Sequence, residues 1–181
     1  MIKLNAKELR TTKCDQEEAK KIKKNPIYII LDNVWDTYNV GAIFRLADAV
    51  AATKVYLCGE TLTPPNTRIK RASINTTEWV TWSYAKTAGE AIKELKNELR
   101  TKNLELRTLA VEQSEKSIPL KDLKVELPVA IVVGNETYGV SKEVLEIVDT
   151  IVELPMYGVN KSLNVMVSCG IVLYRIIGMI K

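Results

Sequence analysis

At 181 residues, with 46% hydrophobic and 27% charged content, the chain is long enough for one well-cored domain, and its composition excludes a disordered or collagen-like protein. Net charge is only +4, so any attraction to nucleic acid must come from local clusters rather than from the whole molecule. Histidine is absent, which removes Ser-His-Asp and Cys-His nucleophile systems, the usual zinc ligand sets and the commonest general base.

No Gly/Ser linker or repeat divides residues 1–181, which read as one domain with a basic N-terminal helical extension over 1–25. No apolar core of signal-peptide length precedes the Lys-rich stretch, so a cytoplasmic location is expected. Cys14, Cys58 and Cys169 are odd in number and widely spaced, which argues against a disulfide framework or a CxxC metal site and leaves them as plain thiols.

In chain order, residues 6–24 read as a helix, ended by Asn25-Pro26 and carrying Lys20, Lys21, Lys23 and Lys24. The apolar run 27–31 reads as a buried strand, 40–51 as a helix and 54–58 as a strand. A loop opened by Pro64-Pro65 then carries Arg68, Lys70 and Arg71. Either basic cluster reads equally as a solvated surface or as a track for a phosphate backbone; the two together favour nucleic acid. Strands are expected at 79–82, 104–111, 129–133 and 151–154, and helices at 86–100, after Ser141, and over 163–180. This alternation implies an α/β fold with a mostly parallel sheet and helices on both faces. The last helix is apolar nearly all round, apart from Asn164, Ser168 and Arg175. A partner subunit is the simplest cover for its excess apolar surface. A membrane span is the competing reading, but Arg175 interrupts the run and about 20 apolar residues are usually needed.

Three segments carry candidate chemistry. In Asn39-Val40-Gly41-Ala42-Ile43-Phe44-Arg45, Gly41 admits a close backbone or ligand and Arg45, one helical turn on, is a fixed cation able to hold a phosphate. The alternative is that Arg45 only pairs with Asp48 on a helix surface. Gly134-Asn135-Glu136-Thr137-Tyr138-Gly139-Val140-Ser141 follows the most apolar strand and brings a carboxylate to a strand-end loop, although Glu136 could simply cap a neighbouring helix. Leu154-Pro155-Met156-Tyr157-Gly158-Val159-Asn160-Lys161-Ser162-Leu163-Asn164-Val165 is a strand-to-helix loop, where ligands of α/β proteins gather. Gly158 offers unusual backbone angles there and Ser162 an N-cap.

NxGAIxR, GxExxG and LPMxGxxxSLNV, in that order, resemble the SpoU/TrmH branch of the SPOUT RNA methyltransferases, over nearly the whole chain from Ile27 onward. The resemblance implies methyl transfer from S-adenosylmethionine to a ribose 2′-hydroxyl of RNA, a C-terminal deep trefoil knot and a homodimer, with no metal and no membrane. It places the cofactor against backbone groups at Gly134, Leu154 and Leu163, with Leu109 as a further wall. The catalytic residues carried over are Asn39, Arg45, Glu136, Ser162 and Asn164. Arg45 would sit at the ribose and its phosphate, Glu136 and Asn164 would orient it and the hydroxyl, Asn39 would support the first loop, and Ser162 would cap the last helix.

Asn75-Thr76-Thr77 stands where similar proteins place Gly-Ala, which bears on substrate choice. With room for only one helix before Ile27, RNA capture is expected to fall to Lys20, Lys21, Lys23, Lys24, Arg68, Lys70, Arg71 and the dimer groove. A compact chain of this kind resembles the tRNA-modifying members more than the rRNA-modifying ones. Two rivals are an rRNA enzyme and a non-catalytic RNA-binding module of the same fold. A dinucleotide enzyme is disfavoured, because the early loop lacks GxGxxG.

Overall fold

The computed structural model describes residues 3–11 and 15–180, so Cys14 lies outside the described residues. Among the described residues seven parallel strands form one sheet in the order β3-β2-β1-β6-β4-β7-β5. These are β1 (Asn25–Asp32), β2 (Ala52–Cys58), β3 (Trp82–Ala85), β4 (Arg107–Val111), β5 (Ile118–Pro119), β6 (Val129–Val133) and β7 (Thr150–Glu153). The central strands β1 and β6 are almost wholly apolar because both of their faces are covered.

Alternate residues divide them between two cores. Ile27, Ile29 and Leu31 of β1 join Val129, Ile131 and Val133 of β6 on one face. That face is closed by α3 (Thr37–Ala49), α4 (Thr67–Ser73) and α7 (Val165–Met179), through Ile43, Phe44, Ile69, Val172 and Ile176. On the opposite face, Tyr28, Ile30, Ala130 and Val132 meet α5 (Ala88–Arg100) and α6 (Lys142–Ile147) through Ile92, Leu95 and Val144. Burying each such side chain stabilises the fold by about 1.5–3 kcal/mol, so the two cores together fix the sheet between its helices.

Several local expectations are corrected. The N-terminal helix is two short ones, α1 (Ala6–Thr11) and α2 (Gln16–Lys20). The basic loop is helical: Asn66 accepts the N–H groups of Arg68 and Ile69 and starts α4, which carries Arg68, Lys70 and Arg71. Residues 79–81 are not strand, because a 3-10 turn over Thr76–Glu78 delays β3 to Trp82. Before it, Ile74 and Asn75 are both left-handed, with φ of 52° and 64°. Asparagine tolerates that conformation better than most non-glycine residues, which explains how Asn75 fills a position expected to be Gly.

Among the described residues no helix is long and apolar enough to cross a membrane. Cys58 and Cys169 are free and buried, and burial pushes both thiols up to about 12, with the nearby Asp32 adding to the effect at Cys58.

Candidate active site

The carboxyl ends of β4, β6 and β7 open into a cavity of about 500 Å³, beside the point where the strand order reverses between β1 and β6. Its walls are Val111 to Gln113 at the end of β4, Val133 to Gly139 at the end of β6, Leu154, Met156 and Asn160 to Asn164 of the loop leading into α7, and Val165 and Ser168 of α7 itself.

The loop after β6 is pinned from both sides. Asn135 Oδ1 accepts the N–H groups of Thr137 at 2.8 Å and Tyr138 at 3.0 Å, while its amide donates to the Asn33 carbonyl at 2.8 Å. Glu112 accepts the Val140 N–H at 2.9 Å. Gly139, at φ +70°, makes room for that carboxylate, since a Cβ would lie 2.1 Å from Glu112 Oε2. A Cβ on Gly134 would lie 2.2 Å from the Gly139 carbonyl carbon and the Val140 nitrogen, so the loop closes on itself only because residue 134 has no side chain.

Held this way, Glu136 projects to the loop after β1. Its carboxylate accepts the Trp35 N–H and the Asp36 N–H, each at 3.1 Å, and the Asn39 side-chain amide at 2.8 Å. The Asn39 carbonyl in turn accepts from the Asn164 amide at 3.0 Å, and Asn164 Oδ1 caps α7 by accepting from Met166 at 2.9 Å. One chain of hydrogen bonds therefore ties the three sequence motifs together at the cavity rim. Partial burial pushes the Glu136 carboxyl up, but the donors from Asn39, Trp35 and Asp36 outweigh it and hold the group below the ordinary carboxylate range.

Of the residues singled out from sequence, Asn39, Glu136 and Asn164 meet directly, and Gly134, Leu154, Ser162 and Leu163 line the cavity with Glu136 and Asn164. Leu109 does not. It is buried inside β4, paired with Ile131, and the cavity begins two residues later at Val111, because ligand sites lie beyond the carboxyl ends of strands and not within them. Glu112 and Gln113 are the wall residues that rule should have selected, and Gln113 donates to the Lys161 carbonyl at 2.6 Å, joining the loops after β4 and β7.

Ser162 is not the N-cap, which is Asn164; the Ser162 N–H donates to Asn160 Oδ1 at 3.2 Å. Gly158 adopts no left-handed angle, and a Cβ there would meet nothing within 4 Å. Gly41 accommodates protein rather than ligand: a Cβ there would lie 2.6 Å from Ala72 Cβ and 2.7 Å from the Ile69 carbonyl, so the glycine lets α4 press against α3.

Arg45 is exposed on α3, its side chain makes no hydrogen bond or ion pair among the described residues, and it does not line the cavity. The alternative partner Asp48 is taken by the Trp79 indole N–H at 2.7 Å. Lys20 pairs with Glu17 within α2 and Lys21, its C-cap, with Glu18, while Lys70 pairs with Glu78 at 3.1 Å. Lys23 is exposed and Lys24 half-buried, while Arg68 and Arg71 are exposed on α4.

The size of the cavity suits a nucleotide-like cofactor. The backbone N–H groups of Met156, Leu163 and Val165 on its wall donate to nothing among the described residues and are free for such a ligand. No group of three or more His, Cys, Asp or Glu among the described residues converges to hold a metal.

The chain is similar to known proteins in sequence and in fold. The chain is 32% identical over 158 residues to a tRNA (guanosine(18)-2′-O)-methyltransferase of Aquifex aeolicus, covering 84% of this chain and 69% of the relative. It is 28% identical over 150 residues to the Escherichia coli K12 protein of the same name, covering 81% of this chain and 61% of that one. It is also 28% identical over 172 residues to a 23S rRNA (guanosine-2′-O-)-methyltransferase of Haemophilus influenzae, covering 95% and 67%. The chain thus spans between about three fifths and seven tenths of these relatives. Among solved structures, the A. aeolicus TrmH/SpoU tRNA modifying enzyme superposes with a TM-score of 0.74 at 29% identity, over 94% of this chain and 79% of that one. The Streptomyces viridochromogenes SpoU methyltransferase AviRb with bound AdoMet gives 0.78 at 20% identity, over 91% and 64%, and shows the shared fold. The family model described as "SpoU rRNA Methylase family" matches residues 26–174, and the chain belongs to that family.

Proposed function

We propose that the protein transfers a methyl group from S-adenosylmethionine to a ribose 2′-hydroxyl of RNA, with tRNA favoured over rRNA. The observation that carries this reading is the Asn39–Glu136–Asn164 chain, which joins three separate motif loops at the mouth of a cofactor-sized cavity. The A. aeolicus and E. coli relatives named as tRNA methyltransferases support the choice of tRNA.

Gly134, Leu154, Leu163 and the loop after β4 would hold the cofactor, largely through backbone groups. When bound, S-adenosylmethionine supplies a methyl group already activated on a positively charged sulfur. The chain's own residues must then deliver the hydroxyl in line and stabilise negative charge as it develops on that oxygen. Glu136 and Asn39 keep the loops after β1 and β6 in register, and Asn164 fixes the start of α7 beside them. A guanidinium is never deprotonated in a protein, so Arg45 acts as a permanent cation and the hydroxyl proton leaves to water or phosphate. Arg45 lies six residues beyond Asn39, about 9 Å along the axis of α3. That spacing suits a grip on the phosphate next to the target ribose.

The protein is further read as a homodimer with the C-terminal trefoil knot of its fold, acting in the cytoplasm. Support for the dimer comes from Val167, Ile171 and Tyr174, which form an exposed stripe along α7, 39%, 40% and 57% accessible, at a spacing that puts them on one face.

The test is transfer of labelled methyl from S-adenosylmethionine to purified tRNA and, separately, rRNA, followed by nucleoside mass spectrometry. Label in a 2′-O-methylnucleoside of tRNA is expected. Label only in rRNA overturns the substrate, and no label in either overturns the activity.

A further inference from the structure

Trp35 and Tyr138 are exposed aromatic residues to which the function proposed above gives no role; they are 45% and 77% accessible. Their rings meet edge to face with centroids 5.8 Å apart. The Trp35 side chain and the Tyr138 backbone are held from outside the ring pair. The Trp35 backbone N–H donates to Glu136 Oε2 at 3.1 Å and its indole N–H to Glu60 Oε2 at 2.8 Å, while the Tyr138 N–H donates to Asn135 Oδ1 at 3.0 Å. The indole is therefore tethered at the surface instead of folding into the core. The Trp35 backbone hangs from the same carboxylate that receives Asn39, at the edge of the cavity that Tyr138 itself lines.

The two rings stand nearly perpendicular, at 84°, so the pair offers exposed apolar ring faces set as a corner, and the tethered indole loses little entropy when its face is covered. The groups around it select the occupant. The carboxylates of Glu60 and Glu136 both bond Trp35, and a carboxylate repels phosphate but accepts N–H donors from the edge of a base. A second copy of the chain docking here would bring like charges together.

We infer that Trp35 and Tyr138 form a stacking platform for an unpaired nucleobase of the RNA, at or beside the nucleotide whose ribose faces the cavity; this rests on the function proposed above. Bases unstacked from single-stranded loops are commonly received on aromatic side chains, and loss of one such stack weakens RNA binding about 5- to 150-fold.

The experiment compares wild type, Trp35→Ala, Trp35→Phe and Tyr138→Ala for affinity to purified tRNA across a salt series, for S-adenosylmethionine affinity and for oligomeric mass. Trp35→Ala is expected to weaken tRNA binding by that factor with an unchanged salt slope, since stacking releases no counterions. Trp35→Phe should recover most of the loss. Cofactor affinity and mass should stay as in wild type for both Trp35 variants. Unchanged tRNA affinity in both alanine variants, an equal loss of cofactor affinity in Trp35→Ala, or a change of mass would each overturn the platform. Wild type that binds tRNA without methylating it overturns the enzymatic reading alone, and the variants then still decide the platform; wild type that binds no tRNA overturns both.

Discussion

Asn39 and Glu136, 97 positions apart in the chain, share a hydrogen bond of 2.8 Å that closes the first turn of α3 onto the loop after β6. A bond to an ionised carboxylate is stronger than a neutral one. Asn39 is also the acceptor for Asn164, so one buried side chain mediates between two others.

That geometry predicts non-additive losses. Asn39→Ala is expected to destabilise the protein by about 1–3 kcal/mol, because it leaves donors and acceptors unpaired on both sides. Asn164→Ala should cost about 1 kcal/mol through the lost cap of α7. The double variant should be less destabilised than the sum of the two, because each removes the same Asn39–Asn164 bond. Urea unfolding of the three variants measures the difference, and strict additivity would show that the bond carries no coupling.

Glu136 gives a pH prediction of defined sign. Its carboxyl is held below the unfolded value of about 4.3, so the unfolded chain binds the proton more readily. The stabilisation it contributes is fully present above that value and is lost as pH falls through the lower, folded value. Stability of wild type minus Glu136→Gln, followed from neutral pH into acid, should be constant above about pH 5 and decline below about 4.3. A difference that grows toward acid would contradict the hydrogen-bond geometry.

The two glycines of the site predict opposite results. Gly134→Ala forces a Cβ to within 2.2 Å of the Gly139 and Val140 backbone on the far side of its own loop and is expected to cost about 3 kcal/mol, with loss of cofactor binding. Gly158→Ala meets open space and should change stability by less than about 0.5 kcal/mol. Thermal melts read both. A mild Gly134→Ala would mean that the loop after β6 has a second packing available.

How far the sequence discloses this site depends on how local each signal is. β6 is plain in it, because a run of five buried apolar residues between turn residues has no other good use. β3 is not: Trp79 looks like strand, yet its indole is spent on Asp48 and the strand begins three residues later. Ser162 and Asn164 are both good caps, and only the contact with Asn39 across the fold decides for Asn164. Leu109 and Val111 have the same chemistry; their difference is depth along β4, which depends on register with β6 and β7. Tyr138 sits inside the second motif and Trp35 four residues before the first, but their meeting needs the tertiary fold.

Arg45 provides the sharpest test of the chemistry. It is exposed, carries no partner among the described residues, and stays outside the cavity wall, so its charge is committed neither to the fold nor to the cofactor. Arg45→Ala is therefore expected to leave stability and S-adenosylmethionine affinity unchanged while reducing methyl transfer about 100-fold or more, the scale of losing one charge-stabilising group in a transition state. Arg45→Lys should recover part of the RNA affinity, since an ammonium is still a point charge for phosphate, but less of the rate, since it lacks the planar fork. Single-turnover transfer and equilibrium cofactor binding, measured on the same preparations, separate the two effects. Equal loss of cofactor affinity and rate in Arg45→Ala would move this residue from the RNA side of the site to the cofactor side, and the phosphate grip derived from its position on α3 would fall with it.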